Sequence, residues 1–333
     1  MTQQKKWDVV GIGNAVVDVL IEADDAFLHK HDIPKGRMVL VEEDVSKALY
    51  KSITPQRELC GGSVANSMVG LANLGSRCGF IGKVAEDELG KRFRDDMHSC
   101  QVAYGTSPLV GGVATARCLV FVTPDSQRSM QTFLGASIHM GMADLDEAML
   151  GACSFVFLEG YLWSAKEGPA MMQQAATHVH ENGGRVAFSL SDAGLVRANK
   201  AELQAFVANH CDVVFANETE AVALIDESDT APFEAEKSGK LLRELVAFSV
   251  VTRSEKGSVV LAEDGSTHAI DAVVWKEVVD STGAGDLYAA GFLHGLIQGK
   301  PLAMCGNYGA MCAAEVISHF GARPERSLAE IIA

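Results

Sequence analysis

Residues 280–297 read Asp280-Ser281-Thr282-Gly283-Ala284-Gly285-Asp286 and then Leu287-Tyr288-Ala289-Ala290-Gly291-Phe292-Leu293-His294-Gly295-Leu296-Ile297. From Leu287 onward the run is an apolar helix, so Gly283 and Gly285 stand at its N-terminus. The first turn of a helix leaves three or four backbone N–H groups without intrahelical acceptors, and the helix dipole adds partial positive charge there. The Gly283-Ala284-Gly285 turn keeps side chains away, so that a phosphoryl group can approach these amides. Asp286 is out of place as a mere phosphate neighbour, because its charge repels the ligand. It makes sense as a base that takes a proton from an attacking hydroxyl. An acidic residue in a capped first turn is also a common stabilising arrangement. A cap alone requires neither two glycines nor Thr282 in the same turn, so the catalytic reading outweighs it.

A second glycine turn, Gly61-Gly62-Ser63-Val64-Ala65-Asn66, also opens a helix. Its amides and the Asn66 side chain could hold a polyhydroxylated ligand, and a plain glycine loop with Ser63 as N-cap accounts for it equally well. A third group is Gly13-Asn14-Ala15-Val16-Val17-Asp18, just after a strand. There Asp18 could accept hydrogen bonds from two adjacent hydroxyls, although alone it is a loop carboxylate. Gly11-Ile12-Gly13 invites a dinucleotide fingerprint, but Val16 stands where the third glycine is needed. No Walker phosphate loop occurs either.

The remaining composition narrows the class. A chain of 333 residues suggests about two domains, or one large one with an appendage. Hydrophobic residues at 48% and charged residues at 21% are ordinary for a folded protein. With 32 Gly and 8 Pro, collagen-like, Pro-rich and disordered classes are excluded. A formal net charge of −15, with a short Lys5-Lys6 pair at the front, disfavours nucleic acid and anionic membranes as partners. A phosphorylated ligand is still compatible where backbone amides, an Arg or a metal supply local positive charge. The eight cysteines form no Cys-x-x-Cys pair, so neither a zinc site nor a disulfide framework is indicated. The N-terminus runs straight into a strand without a signal-peptide apolar region, and no stretch reaches the ~18 apolar residues of a membrane helix. These features read as a reduced, cytoplasmic globular protein.

Short apolar runs alternate with helical patterns along the chain. Strands are expected over Trp7 to Ile12, Arg77 to Ile81, Phe155 to Glu159, Arg185 to Leu190, Val213 to Ala216 and Phe248 to Thr252. Helices are expected over Ser63 to Leu74, Glu86 to Ser99 and Pro169 to Asn182. Such alternation predicts an α/β fold with a parallel sheet covered on both faces. Val16 to Glu22 and Met38 to Val41 break the pattern, with little helix between them. Gly112 to Phe133 reads as two strands around the turn Thr123-Pro124-Asp125-Ser126, the first covered on both sides. Together these pieces form a small sheet projecting from the main body. Glu227 to Ser238 is polar and reads as a loop over a helix start.

With these segments in this order, the chain resembles the ribokinase-like (PfkB) family of carbohydrate and nucleoside kinases over essentially its full length. Both family signatures are present, in Gly61 through Gly75 and in Asp280 through Leu293. Between them Asn217-Glu218-Thr219-Glu220 matches the family's Asn-x-x-Glu, and Thr252 to Gly257 its Thr-x-x-x-x-Gly. The resemblance implies a single domain over 1–333, a three-layer α/β/α fold with a mostly parallel central sheet. It also implies a small β-sheet lid, formed by roughly 16–59 and 104–136. It implies transfer of the γ-phosphate of ATP to a primary hydroxyl. Asp286 would be the base, and the Gly283, Ala284, Gly285 and Asp286 amides the anion hole. Asn14, Asp18, Gly61, Gly62 and Asn66 would position the acceptor. Asn217 and Glu220 would help hold Mg²⁺ through water, and a capping box at a helix start explains the same pair. Thr252, Gly257 and Gly285 would lie near ATP ribose and phosphate, and Asn307 near its adenine. The resemblance also allows a monovalent cation such as K⁺ beside Asp280 and Thr282.

The front of the chain is most similar to the adenosine kinases of that family, in Asp25 to Ile33, Met38 to Glu43, Arg128 to Ala136 and Phe188-Ser189-Leu190-Ser191. A purine pocket needs apolar and aromatic walls with few polar groups. Met130, Thr132, Phe133, Leu134 and Tyr161 are candidates for it. Met38 is another, standing where animal adenosine kinases tend to carry Gln. Arg117 and Arg128 could swing from the lid towards the phosphates, although solvation at the surface is the ordinary fate of a single Arg. The expected acceptor is adenosine, yielding AMP. The alternatives are a sugar acceptor on the same fold or a non-catalytic ligand sensor. A sugar phosphate would demand several Lys or Arg in the acceptor pocket, and the motifs supply few. The chain is expected to act as a monomer or homodimer.

Overall fold

Fourteen strands and the helices between them build two sheets in the computed structural model, which describes residues 5–125, 127–225 and 232–333. In chain order the strands are β1 (Trp7–Ile12), β2 (Val16–Glu22), β3 (Met38–Leu40), β4 (Arg57–Gly61), β5 (Cys78–Ile81), β6 (Val102–Tyr104) and β7 (Ala116–Val122). They continue with β8 (Arg128–Phe133), β9 (Cys153–Glu159), β10 (Arg185–Ser189), β11 (Val213–Asn217), β12 (Phe248–Thr252), β13 (Ser258–Leu261) and β14 (Thr267–Ile270). The large sheet has the order β14-β13-β12-β11-β10-β9-β1-β5-β6 and is parallel from β12 to β6, with β13 and β14 added antiparallel.

The parallel strands are apolar on both faces because helices cover both. Along β9, Phe155 and Phe157 pack on one side with the Ser63–Asn73, Ala284–Ile297 and Leu302–Val316 helices. Val156 and Leu158 pack on the other with the Gly168–Glu181 and Lys200–His210 helices. This is the three-layer α/β/α arrangement that the strand–helix alternation predicts. Phe215 of β11 meets Phe292 edge to face at 5.6 Å, which fixes the Ala284–Ile297 helix on the sheet. That helix packs closely against Ser63–Asn73, because Gly70 leaves room for Leu287 and Ala290.

The five-stranded second sheet has the order β3-β8-β7-β2-β4. β7 is buried along both faces, as its lack of a polar face predicts. The short helix Asp25–Lys30 and the helix Glu43–Lys51 lie in the segment where little helix was expected. They cover the apolar face made by Val19, Ile21, Leu119 and Phe121. Ser126 of the expected turn lies outside the described residues, as do 227–231 of the expected polar loop. The remainder of that loop leads into a helix over Ala235–Arg243. The β13–β14 hairpin was not anticipated. Among the described residues no helix is long and apolar enough to cross a membrane.

Candidate active site

The carboxyl ends of β1, β9, β10 and β11 open on one crevice, where open α/β sheets bind ligands. Two helix N-termini converge there. The Ala284–Ile297 helix begins after Gly283, whose φ of 80° lies in the left-handed region. A Cβ on Gly283 would stand 2.7 Å from the Ala322 Cα, so only glycine lets the C-terminal loop pack on this turn. Asp280 braces the turn from below. Its carboxylate accepts from the Thr282 amide at 2.8 Å and the Gly321 amide at 2.9 Å, and it pairs with Arg128 at 2.5 Å. Burial would raise the Asp280 pKa, but these bonds together hold it below the usual carboxylate value.

Asp286 sits in the first turn of the same helix, where its carboxylate is held at both oxygens. Ser63 Oγ donates to Oδ1 at 2.6 Å and Asn66 Nδ2 donates to Oδ2 at 3.0 Å. Ser67 Oγ donates to the Asp286 backbone carbonyl at 2.9 Å. Burial pushes the Asp286 pKa up to about 6, with the bonds from Ser63 and Asn66 acting against it. A base with its pKa near the working pH accepts a proton and remains mostly ionised. The N-cap of the Ser63–Asn73 helix is Gly62, not Ser63, so the hydroxyl expected as a cap serves Asp286 instead. Gly62 adopts φ 100°, and a Cβ there would fall on the Asn14 carbonyl. A Cβ on Gly61 would fall on the Asp18 carboxylate. The two glycines thus let three distant segments close around one point.

Asp286 lines a cavity of about 300 Å³ with Asp18, Gly62, Ser63, Asn66, Tyr161, Asn217, Glu220, Thr252 and Gly285. On one side lies a cavity of about 520 Å³ that shares Asp18 and Thr282 and is walled by Leu20, Leu59, Cys60, Cys118, Val120, Met130 and Phe320. On the other is one of about 420 Å³ that shares Thr252, Gly285 and Tyr288 and is walled by Val273, Trp275, Ala310, Ala313, Ala314 and Ile317. Gly285 faces open space, since an added Cβ would meet nothing within 4 Å. Gly257, at φ 76°, also lines the 420 Å³ cavity. Tyr161 donates from its hydroxyl to the Ser191 carbonyl at 3.1 Å.

Asn217 and Glu220 form the capping box. The Asn217 backbone amide donates to Glu220 Oε2 at 3.0 Å, its Nδ2 to Oε1 at 2.8 Å, and the Glu220 amide returns a bond to Asn217 Oδ1 at 2.9 Å. Burial lifts the Glu220 pKa to about 7. Among the described residues no group of three or more His, Cys, Asp and Glu side chains could hold a metal directly. With both Glu220 oxygens already engaged, this carboxylate would reach Mg²⁺ only through the water shell that the ion keeps.

Not every expected residue reaches the crevice. Met38 is 46% exposed on the edge strand β3, where it pairs in register with Met130. Leu134 is half-buried just past β8 and lines none of the three cavities. Asn307 is exposed on the Leu302–Val316 helix, which offers Ala310, Ala313 and Ala314 to the 420 Å³ cavity instead. Asn14 is buried and reaches the site through its backbone, its amide donating to Glu159 Oε1 at 2.8 Å. Neither Arg117 nor Arg128 is solvated as a surface side chain. Arg117 is buried over the Tyr50 ring, and Arg128 reaches Asp280 and the Thr282 hydroxyl in the turn before the Ala284–Ile297 helix.

Two residues were missed. Glu159 closes β9 fully buried, its carboxylate accepting the Asn14 and Val64 amides at 2.8 and 2.9 Å, and burial lifts its pKa to about 7. A charged residue ending an otherwise apolar strand was the available signal. Arg323 lines the 520 Å³ cavity from the polar segment Gly321-Ala322-Arg323-Pro324-Glu325, where nothing in the sequence marks it.

The model of the pfkB family of carbohydrate kinases matches residues 52–327. This chain belongs to that family. The adenosine kinase of Sinorhizobium meliloti is 39% identical with a TM-score of 0.89, and the match covers 98% of each chain. A probable sugar kinase protein of Rhizobium etli is 35% identical with the same TM-score of 0.89, covering 98% of this chain and 97% of that one. The 5-dehydro-2-deoxygluconokinase of Geobacillus kaustophilus is 26% identical over 95% of this chain and 89% of its own length. The protein is therefore a pfkB carbohydrate or nucleoside kinase with the ribokinase-like α/β fold, a phosphotransferase that acts on a hydroxyl acceptor. Family membership implies ATP as the phosphoryl donor.

Proposed function

We propose that this pfkB kinase transfers the γ-phosphate of ATP to the 5′-hydroxyl of adenosine. The observation that carries this reading is the pair of cavities adjoining the Asp286 cavity. One, of about 520 Å³, has an apolar wall of Leu20, Leu59, Val120, Met130 and Phe320 beside charged side chains, and the other, of about 420 Å³, is largely apolar. Each offers walls suited to a purine, one for the acceptor and one for ATP. The acceptor cavity contains more arginines than the sequence motifs indicated: Arg57, Arg92, Arg128 and Arg323. Three of them are paired with carboxylates, Arg92 with Glu58, Arg128 with Asp280 and Arg323 with Asp96. A cavity so neutralised suits an uncharged acceptor better than a sugar phosphate.

In this reading Asp18 accepts hydrogen bonds from the ribose hydroxyls, and Met130 packs against the base. Asp286 takes the proton from the 5′-oxygen as it attacks. The Gly283, Ala284, Gly285 and Asp286 amides at the helix N-terminus stabilise charge on the transferring phosphoryl, so that positioning and electrostatics supply most of the rate. Thr252 and Gly257 flank the ATP ribose and phosphates. Asn217 and Glu220 would hold Mg²⁺ through its water shell, where it neutralises phosphate charge. The second sheet acts as a lid on a single kinase domain, and Arg128 is its contact with the phosphate loop; closure excludes water and limits idle ATP hydrolysis. Formation of AMP is a purine-salvage step, and the eight cysteines, all free, suit a reduced cytoplasm.

The test is coupled ADP release with Mg-ATP against adenosine, inosine, guanosine, ribose, fructose 6-phosphate and 5-dehydro-2-deoxygluconate. A kcat/KM for adenosine at least ~10-fold above every other acceptor is expected, since unpaired polar groups or lost apolar contact penalise each competitor. Turnover of a sugar alone would keep Asp286 as base and overturn the purine assignment.

A further inference from the structure

The C-terminal loop touches the site at three successive residues. The Gly321 amide donates to Asp280, Ala322 packs against Gly283, and Arg323 reaches the acceptor side. Arg323 Nε donates to Asn66 Oδ1 at 3.4 Å, Nη1 pairs with Asp96 on the Glu88–Ser99 helix, and Nη2 lies 3.7 Å from Met97 Sδ. The side chain is 16% exposed and lines the 520 Å³ cavity, which Asp18 also lines.

We infer that Arg323 is a positioning residue of the phosphotransfer site, fixing the Asn66 amide toward Asp286 and holding the acceptor-binding carboxylate of Asp18 ready for hydroxyls. The argument for Asn66 is one of donors and acceptors. Its Nδ2 donates to Asp286 Oδ2, so its Oδ1 must face away, and a guanidinium, which has only donors, stabilises that orientation alone. With the amide turned over, Oδ1 would face the Asp286 carboxylate and Nδ2 the guanidinium, losing both bonds. For Asp18, burial pushes the pKa up to about 7, and the charge of Arg323 is foremost among the influences that draw it down. Asp96 anchors the guanidinium, which leaves the Arg positioned without adding net charge to the cavity.

The inference rests on the kinase reading of the site but not on adenosine. It is tested with whichever acceptor the wild-type enzyme turns over in the panel above, so failure of the purine assignment shows in the wild type and failure of this inference only in the variants. Arg323→Met is expected to raise acceptor KM ~10-fold or more and to lower kcat several-fold, as loss of an orienting group at a reacting centre does. The KM for ATP should stay within about twofold, because the 420 Å³ cavity proposed for the nucleotide shares no lining residue with the 520 Å³ cavity that Arg323 lines. Arg323→Lys restores charge beside Asp18 without the planar fork that serves Asn66 and Asp96 together. It should recover acceptor KM while kcat remains low. This second variant also decides the matter if Arg323→Met does not fold. Wild-type acceptor KM and kcat in either soluble variant, or an equal loss for ATP and acceptor, would overturn the inference.

Discussion

Replacing Asp286 with Asn is expected to lower turnover by a factor of ~10² or more while the fold and ATP binding persist. The amide occupies the same volume and its oxygen can still accept from Ser63, but its nitrogen cannot accept from Asn66 and the side chain cannot take the acceptor's proton. The wild-type rate should rise with pH through about 6, where the carboxyl ionises, and the variant's residual rate should not follow that limb. Stability should move the other way. The folded-state pKa of about 6 lies above the ordinary 3.8, so the native state keeps this proton to a higher pH than the unfolded chain. The associated stability is fully present below about pH 4 and is lost as pH rises through about 6. At pH 8 the ionised, buried Asp286 therefore weighs against folding. Asp286→Asn removes that charge but also loses the Asn66 bond, so the variant's stability relative to wild type should be more favourable at pH 8 than at pH 4. Thermal melts at the two pH values, run beside steady-state kinetics, check both halves. A variant with near-full activity would remove Asp286 from the base role.

Gly283→Ala should damage stability and catalysis together. The left-handed backbone at φ 80° costs a residue with a Cβ roughly 1–2 kcal/mol. The new methyl also lies 2.7 Å from the Ala322 Cα, a backbone atom that cannot rotate aside. Either the phosphate turn or the Gly321–Arg323 loop must shift, and both carry parts of the site. A displacement of about 1 Å suffices for a ~10²-fold loss in kcat/KM. Gly285→Ala is the contrast, because its added methyl projects into open space. It should leave the melting temperature near wild type and reduce turnover only by intruding where the phosphoryl group passes. Equal melting temperatures for wild type and Gly283→Ala would refute the packing argument.

The strand–helix alternation was legible because parallel strands buried on both faces are uninterrupted apolar runs. β9 and β11 appear in the structure within two residues of where those runs place them. The β13–β14 hairpin was not legible. Its second strand, Thr267–Ile270, has only its last residue buried, so its pattern resembles a loop. Within the site, Gly61, Gly62, Gly283 and Asp286 stood out because a glycine pair before a helix start is a local anomaly. Met38 and Leu134 were inferred from similarity of segment, and a strand's exposure depends on its place in the sheet. β3 is an edge strand, and Met38 is accordingly left open.

By itself the sequence determined the helix whose N-terminus faces a carboxylate, the second glycine turn, and the layered α/β class, all set by residues within one or two turns of each other. Only the tertiary structure decided what those features meet. Ser63 and Asp286 are 223 positions apart, Arg128 and Thr282 are 154 apart, and Arg323 and Asn66 are 257 apart. No local propensity encodes such pairs. They exist because the sheet order brings β1, β9 and the two glycine-led helices to one edge, and because Arg, Ser and Glu are ordinary surface residues until packing removes water from around them.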